Sequence, residues 1–237
     1  MPAPDGPSGW DKYKQLSCIG SGAFGQVYLV EGNESNGGRP GRFVIKRVHV
    51  KSLNQKELKE AVNEVFILRM LEHPNIVDYL DHFVDDEGYL NIVMEYCPGG
   101  DLNEMITERK RCGGEKDYFP EDQVVYIAFQ LLQALKYVHG IKILHRDLKP
   151  GNVLLSHEGQ VKICDFGISK RLTETVHART VVGTPFYLAP EICESKPYGS
   201  PSDIWAVGCV IYELAALRRA FEASNLLAVV RLITSGE

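Results

Sequence analysis

The feature that most constrains this chain is a change of hydrophobic period near a Pro98-Gly99-Gly100 break. Before it the pattern has period two: Val27, Leu29, Phe43 and Ile45 alternate with their neighbours, so residues 13–50 read as strand, glycine-rich turn, strand, loop, strand. The loop at 31–42 holds Gly, Asn and Pro and reads as a flexible connection. From 56 to 73 the period turns helical, with Leu58, Val62, Val65 and Leu68 on one stripe and Pro74 as the stop. Strands are expected again at 76–83 and 90–95.

After the break the spacing is mostly three to four. Pro120 opens a helix carrying Val124, Ile127, Leu131, Leu135 and Val138. Further helices are expected at 202–217 and 225–234, with short strands at 153–155 and 161–163. The irregular stretch 165–191 is long, and such loops are usually functional. The pattern predicts an α+β chain in which a small antiparallel β-rich half with one helix precedes a larger helical half. Residues 98–100 are the expected hinge, and there is no internal repeat.

Composition removes several alternatives. A hydrophobic fraction of 44% supports a core rather than disorder, and a net charge of −5 argues against non-specific nucleic-acid binding. The six cysteines contain no C-x-x-C pair, which disfavours a disulfide scaffold or structural zinc site and suits a reducing, cytoplasmic setting. Residues 1–10 lack the apolar run of a signal peptide, and 206–217 is too short to cross a bilayer, so no membrane partner is expected.

Gly20-Ser-Gly22-Ala-Phe-Gly25-Gln-Val27 fits G-x-G-x-x-G-x-V, in which glycines let backbone N–H groups approach phosphate oxygens. Alone it could be a dinucleotide-binding turn or an ordinary hairpin; a strand after Gly25, with no βαβ unit, weakens the first of these. Lys46, ending the apolar pair Val44-Ile45, could hold the α- and β-phosphates if Glu64, 18 residues on, paired with it. A solvated lysine and a surface glutamate are the plainer readings of each alone. The strongest string is His145-Arg146-Asp147-Leu148-Lys149-Pro150-Gly151-Asn152. Asp147 would take or orient the proton of an attacking hydroxyl, Lys149 would neutralise a γ-phosphate, and Asn152 would bind Mg²⁺. Asp165-Phe166-Gly167 follows, with Asp165 as a second Mg²⁺ ligand, and Ala189-Pro190-Glu191 closes the segment. Each element is weak or moderate alone except the eight-residue string; their order and spacing agree together.

On these residues the chain resembles the eukaryotic protein kinase superfamily over roughly residues 13–237. Lys149, with Gly183-Thr184-Pro185, resembles its serine/threonine branch. A narrower similarity is to the NIMA-related (NEK) kinases, carried by His73-Pro-Asn-Ile-Val77, the run from Val93 to Leu102 (VMEYCPGGDL), Asp165-Phe-Gly-Ile-Ser-Lys170, the run from Val182 to Leu188 (VGTPFYL) and Ser202-Asp-Ile-Trp-Ala206. The resemblance implies a bilobal kinase fold, with a disordered extension at 1–12, an N-lobe and hinge at 13–97 and a partial C-lobe at 98–237. It also implies ATP and Mg²⁺ as cofactors and protein Ser/Thr hydroxyls as acceptors. Ile19, Gly20, Gly22, Gly25, Val27, Val44, Lys46, Met94 (gatekeeper), Glu95, Cys97, Asp101 (ribose) and Leu154 would contact ATP. Thr184 would contact Asp147 and Lys149, and Leu68, Tyr79, His145 and Phe166 would stack as a column anchored by Asp203. Thr180 is the expected activating phosphorylation site, its phosphate pairing with Arg146 and with Lys170 or Arg171. Family likeness further implies microtubule- or cilium-associated partners and a cytoplasmic address extending to the cytoskeleton.

Three departures accompany the resemblance. Val44 stands where alanine is commoner and narrows the adenine site, and the 31–42 loop is longer than usual. The sequence stops about where the family's G helix ends, which would leave Glu191 without its usual arginine, a cost on the order of several kcal/mol. A non-catalytic, kinase-like scaffold is the rival class, and Lys46, Asp147 and Asp165 speak against it. An inert fragment is the other.

Overall fold

A computed structural model describes residues 9–22, 25–50, 65–113, 117–166 and 185–235. The chain divides into two compact units, one of residues 1–72 and 77–96, the other of 73–76 and 97–237. The change of period read from the sequence is thus close to the division between them.

The first unit is a five-stranded antiparallel sheet of order β1-β2-β3-β5-β4, from β1 (Tyr13–Gly22), β2 (Gly25–Gly32), β3 (Arg42–His49), β4 (Tyr79–Val84) and β5 (Tyr89–Glu95). Register assigns its two faces. Tyr28 pairs with Ile45 and Ile45 with Val93, whereas Leu29 pairs with Val44 and Val44 with Met94. Directly paired residues share a face, and neighbours along a strand take opposite faces. Val30, Ile45 and Val93, all fully buried, form the core of one face with Tyr13, Tyr28, Phe43 and Phe83 packed on it. A helical stretch at 65–70 buries Val65 and Leu68. It ends before Pro74, as Pro74 predicts.

Two sequence expectations are corrected here. Residues 9–12 are not part of a disordered extension: Gly9–Lys12 is a 3₁₀ turn whose Trp10 packs against the sheet core. The 31–42 loop is not merely flexible. It contains a 3₁₀ turn, Glu34–Asn36, and the Asn33 and Asn36 side chains each donate to the Asp11 carbonyl at 3.1 Å. Asparagine side chains that satisfy distant backbone acceptors convert a polar loop into a fixed one.

The second unit is mainly helical, built from α1 (Leu102–Cys112), α2 (Glu121–Gly140), α3 (Pro190–Cys193), α4 (Ser200–Ala216) and α5 (Leu226–Ser235), with the hairpin β6 (Val153–Leu155) and β7 (Val161–Ile163). The apolar stripe of α2 buries Ile127, Leu131, Ala134, Leu135 and Val138. Helix α4 buries Ala206, Val207, Val210 and Leu214, and packs against α2. A buried polar knot ties β7 to α2: Asn75 Nδ2 donates to Gln130 Oε1 (2.8 Å) and to the Val161 carbonyl (2.9 Å), while Val161 N–H donates to Gln130 Oε1 (3.0 Å). Among the described residues no helix is long and apolar enough to cross a membrane.

Candidate active site

The loop from His145 to Asn152 joins α2 to β6, and its backbone is held by one carboxylate. Asp203, in the first turn of α4, is fully buried. Its Oδ2 accepts from His145 N–H (3.0 Å) and from His139 Nε2 (2.8 Å). Its Oδ1 accepts from Arg146 N–H (3.0 Å) and from the Tyr198 hydroxyl (2.5 Å). Four donors satisfy a charge that would otherwise be costly to bury. Burial, reinforced by the Asp203 charge and this hydrogen bond, pushes the Tyr198 hydroxyl pKa well up.

His145 is equally buried and its tautomer follows from its partners. Asp147 N–H points at Nδ1 (3.3 Å) and can only donate, so Nδ1 accepts; Nε2 then carries the proton and donates to the Cys164 carbonyl (2.9 Å). A neutral ring agrees with its pKa, which burial lowers against the opposing pull of Asp203. Phe166 packs on the imidazole at 4.8 Å between ring centres.

With the loop so fixed, Asp147, Lys149 and Asn152 converge. Lys149 Nζ lies 3.0 Å from Asp147 Oδ2, and Asn152 Nδ2 donates to the same oxygen (3.1 Å) and to the Asp147 carbonyl (2.7 Å). The hairpin brings Asp165 to this group. Val153 pairs with Ile163, Cys164 N–H donates to the Asn152 carbonyl (3.0 Å), and Asp165 is the next residue. Arg146 (φ 69°) and Asp165 (φ 58°) both sit in the left-handed region, sparsely used by non-glycine residues and enriched where a backbone is held for function. Asn152 and Asp165 offer hard oxygen ligands, and the Asn152 NH₂ is turned to Asp147, so its amide oxygen is the group left for a cation. That donor chemistry fits a divalent ion such as Mg²⁺. Among the described residues no three His, Cys, Asp or Glu side chains cluster as a complete metal cage; two protein ligands plus phosphate oxygens is the usual Mg²⁺ arrangement.

Asp101 and Leu154, expected at the ribose and the adenine, are joined by an antiparallel bridge. Asp101 also caps α1: its Oδ1 accepts from Glu104 N–H (2.8 Å), and Glu104 Oε2 accepts from Asp101 N–H (3.3 Å). Cys97 is buried, and Gly99 lies so close to Leu155 that a Cβ would stand 2.8 Å from its backbone oxygen.

In the sheet unit the register gathers Val27, Val44, Lys46 and Met94 on the face opposite the aromatic core, because Val27 pairs with Lys46 and Val44 with Met94. Lys46 is 9% exposed. Ile19 is half exposed on β1, and Glu95 N–H donates to the Asp78 carbonyl (2.9 Å). The glycines of the turn separate by role. Gly25 has φ 132°, and a Cβ there would meet the Arg47 carbonyl oxygen at 1.9 Å, so β3 itself demands glycine. At Gly20 a Cβ would meet nothing closer than Val27 at 3.5 Å, and packing does not explain the glycine. Gly22 pairs with Gly25 across the turn.

Glu64, Gly167, Thr180 and Thr184, with Lys170 and Arg171, lie outside the described residues. Glu191 is not left without a donor: the Ser202 hydroxyl donates to its Oε1 at 2.5 Å. Sequence reasoning missed His139 and Tyr198 as holders of Asp203, and the capping role of Asp101, for which the D-x-x-E spacing was a visible signal.

The sheet unit thus carries a glycine turn and a buried lysine, and the helical unit an Asp–Lys–Asn loop. Comparison with known proteins places the chain in a family. The family model "Protein kinase domain" matches residues 13–235. The chain is 47% identical to mouse serine/threonine-protein kinase Nek1 over 95% of its length and 18% of the relative's. It is 47% identical to zebrafish Nek8 (95% and 31%) and 42% identical to nekl-2 of Caenorhabditis elegans (94% and 63%). The chain thus spans from under a fifth to under two thirds of the length of these relatives. It belongs to the protein kinase family and is NEK-like within the serine/threonine branch.

Proposed function

We propose that this chain transfers the γ-phosphate of ATP to serine or threonine hydroxyls of protein substrates, with Mg²⁺ as its metal. The observation that carries the reading is the Asp147 carboxylate set between the Lys149 ammonium and the Asn152 amide, on a loop whose backbone hangs from buried Asp203. Asp147 orients the acceptor hydroxyl and takes its proton, and Lys149 stabilises charge on the transferring phosphoryl oxygens. Lys46 and the Gly20–Gly25 turn hold the remaining phosphates, with Val27, Val44 and Leu154 against the adenine and Met94 behind it. Asn152 and Asp165 would hold Mg²⁺, which when bound neutralises phosphate charge.

Phosphorylation of Thr180 as the activating event belongs to the same reading, as do a cytoplasmic address and cytoskeletal partners. Support for these is the family likeness alone. One assay tests catalysis and regulation together: label transfer from ATP to a generic protein acceptor by the parent, Asp147→Asn and Thr180→Ala. Loss on the order of a thousandfold in Asp147→Asn is expected from a missing base, with markedly lower activity in Thr180→Ala. Parent-like transfer by Asp147→Asn overturns the catalytic assignment, and full activity in Thr180→Ala overturns the regulatory one.

A further inference from the structure

The sheet unit carries a second carboxylate that gathers several donors, on a half-buried residue outside the site described above. Asp85, in the β4–β5 turn, has a side chain 9% exposed and collects donors from four residues. Its Oδ1 accepts from Tyr89 N–H (2.9 Å). Its Oδ2 accepts from Arg47 Nε (3.0 Å) and Nη2 (2.8 Å), Asn91 Nδ2 (3.0 Å) and Trp10 Nε1 (3.4 Å). Burial alone would raise the Asp85 pKa, but the hydrogen bonds from Tyr89, Asn91, Arg47 and Trp10 outweigh it and hold it low. The Arg47 guanidinium lies 3.9 Å over the Tyr89 ring and reaches Glu87 at 2.8 Å.

Arg47 is the residue after Lys46 on β3, and its carbonyl oxygen fills the space that forces glycine at position 25. The contact on Arg47 therefore acts as a lateral stop for both Lys46 and the seat of the glycine turn, on a strand whose ladder to β2 and β5 sets the backbone. Trp10 closes the arrangement from the other side. Its indole meets Tyr28 and Phe83 edge-on at 6.0 and 5.8 Å and packs on the Val30–Ile45–Val93 core. Gly9 lies so near Phe83 that a Cβ would fall 2.0 Å from its ring, so the 3₁₀ turn is closely seated.

We propose that Trp10, acting through Asp85 and Arg47, is a positioning residue for nucleotide binding: the Gly9–Lys12 turn clamps β3 so that Lys46 and Gly25 stand in place for phosphates. The proposal rests on the reading of Lys46 as a phosphate-binding lysine. Its physical basis is that displacement of a binding group by about 1 Å can cost up to about a hundredfold in an enzyme.

The test is titration of parent and variant proteins with a non-hydrolysable ATP analogue at low temperature, each variant first shown to be folded by circular dichroism. Trp10→Ala and Asp85→Asn should each weaken binding about tenfold, and the double variant by no more than the larger single effect, because the two act in one chain of contacts. Trp10→Phe, which keeps an aromatic ring against Tyr28 and Phe83 but loses the indole N–H that reaches Asp85, should weaken binding several-fold, less than Trp10→Ala; parent-like binding would mean that Trp10 does not act through Asp85. A merely structural Trp10 would lower the melting temperature and leave the affinity of the folded protein unchanged, and that result overturns the proposal. If either larger change prevents folding, Arg47→Lys decides: it keeps the charge, gives up the two-pronged contact, and should weaken binding several-fold. Lys46→Ala separates the two levels. If it binds the analogue as the parent does, the phosphate-binding reading of Lys46 fails; if it binds poorly while the Trp10 and Asp85 variants bind normally, only the clamp fails.

Discussion

Asp203, fully buried, and Asp85, half-buried, are both carboxylates that gather several donors, and they hold different parts of the machinery by different means. Asp203 hangs a loop: two of its four donors are consecutive backbone amides of the His145–Asn152 segment, and the other two are His139 and Tyr198. Asp85 pins a strand: its main partner is a guanidinium whose own backbone is β3. Backbone amides suit a loop because they fix φ and ψ directly, down to the left-handed turn at Arg146. A bidentate cation suits a strand, whose ladder already fixes the backbone and needs only a lateral stop. The two units thus use one chemical group for two mechanical tasks.

The sharpest way to break the comparison is Asp203→Asn. On either side the amide NH₂ would face a backbone N–H that cannot accept, that of His145 or of Arg146, and that side of the loop would lose its anchor. Removing one member of such a buried charged network costs about 3–5 kcal/mol, a large share of a domain's typical stability of roughly 5–15 kcal/mol. The expected outcome is a large fall in the urea midpoint together with loss of phosphotransfer. A variant that retains parent stability would show that the four contacts are incidental. Tyr198→Phe removes one neutral donor from the same carboxylate and should cost less, about 1–3 kcal/mol. It leaves both backbone bonds to Asp203 in place, so its midpoint should lie between those of the parent and Asp203→Asn. A midpoint as low as that of Asp203→Asn would mean that the hydroxyl, not the loop amides, is what Asp203 serves.

The contrast also explains what could be read in advance. The Asp147–Lys149–Asn152 group was legible because its members fall within six residues, so a short loop must place them together. That Val27, Val44 and Lys46 belong together came from the family resemblance, and the strand register then sets them on one face. His139 could not be paired with Asp203 in this way, lying 64 residues from it, and Tyr198, only five residues before it, carried no signal that its hydroxyl would turn to the carboxylate. Trp10 sits at the end of a Pro- and Gly-rich run that looks disordered by composition, and only the apolar face of the folded sheet gives it a place. Helix α1 was overlooked because it buries only Leu102 and Ile106, too sparse a stripe to outweigh its charged residues. Local chemistry was readable, and support reaching across the chain was not.

The smallest expected effect is one of pH, and the two tryptophans of the chain, Trp10 and Trp205, report one unit each. Asp85 is held below its unfolded value, so the stability it contributes is present above an unfolded pKa of about 3.9 and is lost as pH falls through the folded value. Tyr198 is shifted the other way. Its neutral hydroxyl is favoured in the fold, so its contribution is present below an unfolded pKa of about 10 and is lost as pH rises through the folded value. The sheet unit should therefore loosen first in acid and the helical unit first in alkali. Trp205→Phe leaves Trp10 as the emitter, beside Asp85; Trp10→Phe leaves Trp205, which stacks on Phe221 at 5.5 Å in α4's unit. Fluorescence of the first variant should shift at higher pH on acidification than that of the second, and the order should reverse on alkalinisation. Introducing Asp85→Asn should remove the acid lead of Trp10, and Tyr198→Phe should shrink the alkaline lead of Trp205, the remainder belonging to Tyr187, whose hydroxyl burial and Glu213 also push up. If both emitters shift together at both extremes, the two carboxylates do not govern separate regions, and the distinction between loop anchor and strand stop fails.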